Sequence, residues 1–273
     1  MNTKTHTVWL FCRVIDNFGD IGVSWRLAKQ LQQEQHLQVV LWVDDVQALR
    51  ALLPEVDVHA TQACYEGIAV LQWKDALVAD LLLSAPAADV VIETFACDVP
   101  EAVRQWMVGK PMLWLNLEYL TAEAWADDVH LLPSLQSNGV KKYFFCPGFS
   151  DKTGGVSYEL GLLSQERPVN QEKQQQLRQQ YGLPAFADSV HVYVFGYADA
   201  MWPKWLRMWM QGKHKTVVWL AQGGLLVDLQ RQFPELQALQ QVGDCVNVQQ
   251  LTVCLVPFVA QSEFDQVLQA ADV

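Results

Sequence analysis

The sequence predicts an α/β protein, a doubly wound domain followed by a second α/β series, and three observations predict it. Apolar runs of strand length alternate with helical patterns along all 273 residues. Most of the runs are continuously apolar rather than alternating, which marks parallel strands covered by helices on both faces. Composition shifts between about Gly148 and Gln171, where turn-forming residues replace large apolar ones.

The elements follow in chain order. Val8-Trp9-Leu10-Phe11-Cys12-Arg13-Val14-Ile15 reads as a buried strand, and Ile21 to Leu31 as an amphipathic helix with Ile21, Trp25, Ala28 and Leu31 as its buried stripe. Gln38–Val43 is the next strand, followed by a short helix from Asp45 to Leu53 that Pro54 closes. A helix over Lys74–Leu83 precedes the strand Asp89–Thr94. A helix from Pro100 to Val108, ended by Gly109, leads to the strand Pro111–Leu117. Order and length give βαβαβ, the pattern of a doubly wound sheet.

The break supplies the domain boundaries: a first domain over 1–150, a linker over 151–170 and a second domain over 171–273. Gln171 to Tyr181 is a glutamine-rich helix that reads as a solvated face, closed by Gly182. The second series has strands at His191–Phe195, Thr216–Leu220 and Leu251–Val256. Its helices are a Trp-rich one over Met201–Met210 and another over Ser262–Ala270. The chain stops at Val273, where the pattern calls for a further strand, so the sequence reads as incomplete in its second domain.

Composition narrows the function classes. Thirty acidic against nineteen basic residues give a net charge of −11, and the basic residues do not cluster. Phosphate-backbone binding needs a basic face, so nucleic acid is not the expected partner. An acidic surface suits a basic protein segment better. Mean hydropathy is +0.05, yet no apolar run approaches the ~18–20 residues that span a bilayer. The polar start Met1–Thr7 lacks the apolar stretch of a signal peptide. A cytoplasmic protein with no membrane partner is expected. The six cysteines and six histidines are scattered with no Cys-x-x-Cys pair, so neither a disulfide framework nor a metal site is expected.

The most telling segment is Asp16-Asn17-Phe18-Gly19-Asp20-Ile21-Gly22, at the first strand-to-helix turn. In an open α/β sheet that turn lies at the carboxyl edge, where ligands bind. Asp20 is suited to cap the helix and Gly19 to supply a positive φ. A strand-end Asp16 caps nothing, and Gly22 at the helix start leaves room for a ligand beside its N–H groups. Two carboxylates there suit a general base or an anchor for a cationic group.

Other segments are weaker. No Gly-x-Gly-x-x-Gly or Walker A sequence occurs, which disfavours dinucleotide dehydrogenases and P-loop NTPases. Gly223-Gly224 reads as a turn, with a phosphate-facing turn as the alternative. Phe195-Gly196-Tyr197 and Pro257-Phe258 end strands of the second domain, where aromatics either stack a nucleobase or join the core. Glu93-Thr94-Phe95 and Asn116-Leu117-Glu118-Tyr119 reach the carboxyl edge of the first sheet. That makes Glu118 and Tyr119 cleft candidates, or plain surface and core positions.

Two Rossmann-like domains, no metal cluster and an acidic first turn resemble a GT-B glycosyltransferase, whose two domains face each other across a cleft. The stretch Asp16-Asn17-Phe18-Gly19-Asp20-Ile21-Gly22-Val23-Ser24-Trp25-Arg26-Leu27-Ala28 closely resembles the opening motif of the EarP family. These are protein-arginine rhamnosyltransferases that modify bacterial elongation factor P. Asn116–Leu120 and Pro257-Phe258-Val259 are similar to segments of the same family.

The resemblance implies transfer from dTDP-β-L-rhamnose, without a metal or other cofactor, to one arginine of elongation factor P, with inversion at the sugar. It implies Asp20 as catalytic base and Asp16 as its essential neighbour. Asn17, Phe18, Gly19 and Asp20 would contact the donor; Phe195, Tyr197 and Phe258 would hold its thymine nucleotide, with Gln261 nearby. The first domain would bind the acceptor and the second the nucleotide sugar. Family members continue into an Arg-Gly-Glu-Asp-Ser motif that binds the donor, and this sequence ends before it. Two other readings stay open: a GT-B transferase with a different donor or acceptor, and a non-catalytic nucleotide-binding module.

Overall fold

In the computed structural model, which describes residues 5–16, 18–158, 170–197 and 200–273, the chain divides into two compact units, Met1–Gln165 and Glu166–Val273. The expected linker over 151–170 straddles that division, and most of it lies outside the described residues.

The first unit opens with β1 (Thr7–Cys12), all six residues of which are buried. Val8, Leu10 and Cys12 join one core cluster and Trp9 and Phe11 another, which is why the run is apolar on both faces. The sheet continues through β2 (Gln38–Val43), β3 (Gln62–Tyr65), β4 (Ile68–Gln72), β5 (Val90–Thr94), β6 (Leu113–Leu117), β7 (Pro133–Leu135) and β8 (Lys141–Phe145). The spatial order is β3-β4-β2-β1-β5-β6-β8-β7. The six inner strands are parallel, while β3 and β7 pair antiparallel at the edges. Numbered among themselves, the inner strands run 3-2-1-4-5-6, the doubly wound order whose direction reverses between β1 and β5. That reversal places the loops after β1 and β5 side by side.

Helices α1 (Gly19–Gln33), α2 (Val46–Leu52), α3 (Asp75–Ser84), α4 (Glu101–Met107) and α5 (Trp125–Val129) connect these strands. The expected α1 stripe is present, with Ile21, Trp25 and Ala28 buried and Leu31 packed against the same cluster. Asp45 caps α2 by accepting from the Gln47 N–H at 2.9 Å. The β3–β4 hairpin was not among the expected elements. Its strands are only four and five residues long, and Glu66 and Gly67 turn it with φ of 48° and 81°.

The second unit contains α6 (Gln171–Gln180), β9 (Ser189–Val194), α7 (Trp202–Met210), β10 (Lys215–Ala221), α8 (Gly224–Gln232), β11 (Cys245–Val248), β12 (Leu251–Val256) and α9 (Gln261–Ala270). Its sheet order is β11-β12-β10-β9, parallel except for β11. The Tyr193 N–H donates to the Val273 carbonyl at 3.2 Å and the Asp272 N–H to the His191 carbonyl at 2.8 Å, so the end of the chain runs beside β9. The expectation about cysteines needs one correction: Cys245 and Cys254 face each other in the β11–β12 register and are joined as a disulfide. Their nine-residue separation resembles no framework spacing, and only the antiparallel turn-back brings them opposite. Among the described residues no helix is long and apolar enough to cross a membrane.

Candidate active site

The β1–α1 loop departs from the sequence expectation in an instructive way. Asp20 is not the N-cap of α1. Phe18 holds that position without a side-chain hydrogen bond, and Asp20 sits inside the first helical turn. Its carboxylate turns back into the loop, where Oδ2 accepts from the N–H groups of Ile15 and Asp16, both at 2.9 Å. Across the switch point, the Tyr119 hydroxyl donates to Oδ1 at 2.5 Å. Asp20 is only 1% exposed. A buried carboxylate needs such compensation, and three donors supply it together with the positive end of α1. Among the described residues nothing takes the remaining lone-pair direction on Oδ1.

Gly19 is also corrected. Its φ is not positive; what requires glycine is space, since a Cβ there would stand 2.6 Å from Asp16 Oδ2. The Gly19 N–H donates to the Asp16 carbonyl at 2.7 Å, closing a tight turn. Gly19 therefore makes room for the second carboxylate. Burial, and then the neighbouring Asp20 carboxylate, raise the pKa of Asp16 above the ordinary range. Two acids thus share one small region, an arrangement that a bound cation relieves. Asn17 lies outside the described residues.

The loop after β5 meets this pair. Phe95 and Ala96 have φ of 55° and 51°, and Asp98 has 59°. Left-handed backbone at non-glycine residues costs of order 1–3 kcal/mol each and persists only where neighbours over-determine it. Those neighbours are buried polar groups. Asn116 Oδ1 accepts from the Ala96 N–H and Glu93 Oε1 from the Asp98 N–H, both at 2.9 Å. Asn116 is fully buried and Glu93 1% exposed, and Glu93 also pairs with Lys142 at 3.1 Å.

The Phe95 ring lies flat on the Tyr119 ring, centroids 3.8 Å apart and planes 3° from parallel. Burial, followed by the Asp20 hydrogen bond and charge, pushes the Tyr119 phenol well above its usual value, so it acts as a donor. Glu118 is half-buried and accepts from Asn116 Nδ2 at 2.5 Å. The structure therefore brings Asp16, Gly19, Asp20 and Tyr119 together and ties Glu118 to Asn116. Sequence reasoning placed Glu93, Phe95 and Asn116 at this edge but not their tasks, because no residue-type signal announces a strained loop without glycine.

In the second unit, Phe195 and Tyr197 follow β9 and Phe258 follows β12, at 63%, 56% and 46% exposure. Both strands flank β10 in parallel, so these rings occupy one sheet edge. Gly196 is required by close approach: a Cβ would stand 2.9 Å from the Trp202 ring, whose Nε1 donates to the Tyr197 carbonyl at 2.9 Å. Gly223 and Gly224 face open space at the start of α8, which fits a plain turn and a phosphate-facing one alike. Gln261 opens α9, and its side chain lies outside the described residues. Among the described residues no group of three or more His, Cys, Asp or Glu side chains is placed to hold a metal ion.

The fold is similar to a chain solved in work on the structural basis for EarP-mediated arginine glycosylation of translation elongation factor EF-P. The TM-score is 0.56 at 27% identity, over 97% of this chain and 65% of that one. Two α/β units with parallel-dominated sheets, together with this likeness, make this a GT-B glycosyltransferase fold.

Residues 8–273 match the family described as Elongation-Factor P (EF-P) rhamnosyltransferase EarP, and the chain belongs to that family. Relatives named protein-arginine rhamnosyltransferase include one from Neisseria meningitidis, 44% identical over 100% of this chain. Another, from Pseudomonas aeruginosa, is 39% identical over 96% of it. The chain spans 69% of the length of each of these relatives.

Proposed function

We propose that this protein transfers rhamnose from dTDP-β-L-rhamnose to an arginine side chain of elongation factor P, in the cytoplasm, with inversion at the sugar and without a metal. The observation that carries the reading is Asp20: a buried carboxylate at the switch point, held among the described residues by three donors that leave one Oδ1 lone pair, with Asp16 beside it.

A guanidinium is a poor nucleophile because its pKa exceeds ~12. Asp16 and Asp20 orient it and localise its charge on the nitrogens they face. The guanidine nitrogen attacks the anomeric carbon, the bond from that carbon to the diphosphate oxygen breaks with its electron pair, and the nitrogen's proton passes to Asp20 Oδ1. Attack opposite the leaving group inverts the centre. Tyr119 keeps its hydrogen bond to Oδ1 and so aims the remaining lone pair, while Glu118 takes part in the acceptor cleft.

On the donor side, Phe195, Tyr197 and Phe258 offer exposed ring faces that suit stacking on thymine. Asn17, Phe18, Gly19 and Asp20 contact the sugar end, and Gln261 lies near the nucleotide. The first unit serves the acceptor and the second the nucleotide sugar.

Intact-mass measurement of elongation factor P, incubated with the full-length enzyme and dTDP-rhamnose, tests the reading. A gain of one deoxyhexose that disappears when the acceptor arginine is changed to lysine is expected. Donor binding without any gain points to a non-catalytic module, and a gain only with another nucleotide sugar or acceptor points to a different transferase.

A further inference from the structure

Tyr119 reaches Asp20 from a half-exposed position in the loop after β6, beyond the strand's ladder. What fixes it is the flat contact with Phe95, and Phe95 takes that position only because the loop after β5 adopts a left-handed backbone. Four successive N–H groups hold the loop there: Phe95 N–H to the Leu117 carbonyl at 2.7 Å, Ala96 N–H to Asn116, Cys97 N–H to the Thr94 carbonyl at 3.1 Å, and Asp98 N–H to Glu93. Strain retained at a functional edge, with buried polar groups committed to holding it, points to a task for the group it displays.

We propose that Phe95 is a positioning residue for the transfer reaction: its ring holds the Tyr119 hydroxyl on Asp20 Oδ1, so that one Oδ1 lone pair alone faces the incoming guanidine nitrogen. The inference rests on Asp20 as the proton acceptor. Phe95 itself touches no reacting atom. It acts through Tyr119, and Asn116 and Glu93 act through Phe95. A rotatable phenol on a half-exposed ring would otherwise share its time between Asp20 and solvent, and misplacement of a catalytic partner by about an ångström is costly in rate.

The test uses the full-length enzyme, with a thermal melt recorded for every variant. Phe95→Leu keeps apolar bulk but removes the flat face, and serves if Phe95→Ala does not fold. It should lower kcat about tenfold while donor KM stays within about twofold. Phe95→Tyr, which keeps the face, should recover most of the loss. Tyr119→Phe should lower kcat by a similar factor, and Phe95→Leu combined with Tyr119→Phe should be no slower than Tyr119→Phe alone, because both act on one hydroxyl.

Losses that multiply in the double variant, or wild-type kcat in a folded Phe95→Leu, overturn the proposal. If Asp20→Asn turns over normally, the base assignment and the positioning role fall together. If Asp20→Asn is inactive while Phe95→Leu is unimpaired, the positioning role alone falls.

Discussion

The carboxyl edge of the first sheet presents Asp20 at 1% exposure with three hydrogen-bond donors, whereas that of the second presents Phe195 and Tyr197 at 63% and 56%. One edge is built from buried polar groups that fix a lone pair in space, with Asn116 and Glu93 bracing a strained loop beneath it. The other offers flat apolar faces, with Trp202 packed close on Gly196 between Phe195 and Tyr197 in the chain. The contrast matches two jobs under the proposed function. Moving a proton from a guanidinium requires a base whose geometry is set before substrate arrives. Holding a planar base needs an accessible face and tolerates much looser placement.

With both carboxylates left in place, the largest expected effect comes from the smallest change. Gly19→Ala brings a methyl group to 2.6 Å from Asp16 Oδ2 and forces that carboxylate aside, so turnover should fall about 100-fold in a folded protein. Retention of full activity would break the account of the first edge. Asn116→Ala removes the acceptor for the Ala96 N–H and leaves a buried void. It should cost about 1–3 kcal/mol in a denaturant titration as well as lowering kcat, because here stability and site geometry share one side chain.

At the second edge the expectation reverses. Tyr197→Ala should raise donor KM about tenfold, from the loss of one stacked ring, with the melting temperature nearly unchanged. A fall in kcat at unchanged KM would erase the distinction between the edges.

The smallest effect is a pH dependence confined to the second unit. His191 Nε2 accepts from the Phe186 N–H at 3.2 Å, so the neutral ring carries its proton on Nδ1, which faces Asp272 Oδ2 at 3.2 Å. Burial and then the Arg178 charge hold the His191 pKa below its ordinary value. A depressed folded pKa means that the unfolded chain takes up a proton first as pH falls. The stability His191 contributes is therefore present above about pH 6.5 and lost as pH drops through the lower folded value. Asp272 acts in the same direction further into acid. Its own burial opposes ionisation, but the His191 N–H and Arg178 outweigh it and depress its pKa. Melts of the protein between pH 7 and 5 should show the second unit loosening. His191→Phe should flatten the upper part of that decline.

Much of this was legible in the residue pattern. Doubly buried strands such as β1 announced a parallel sheet, and the Asp16–Gly22 segment marked its ligand-binding carboxyl edge, because apolar periodicity and an unexplained second acid are both sequence signals. The reasons for individual residues were less visible. Asp20 suited a helix cap by type and position, but Ile15 and Asp16 N–H groups, set by the turn, compete for the same carboxylate and win. Gly19 suggested backbone freedom, whereas the need is for space beside Asp16. Phe95 lay at the expected edge but its residue type showed no task there, since a phenylalanine after a strand is ordinarily core, and the left-handed loop is held by the Ala96 N–H bond to Asn116, twenty residues further on.

The central claim is that the Asp20 carboxylate accepts the proton while its contact with the donor needs no charge, and Asp20→Asn, which keeps the shape and removes the base, tests it most directly. Donor affinity by calorimetry and single-turnover transfer to elongation factor P should be measured on the same preparation. The account predicts a dissociation constant for dTDP-rhamnose within about threefold of wild type and a transfer rate lower by about 10³-fold or more. Transfer at a near-normal rate by a protein that still binds donor would contradict it.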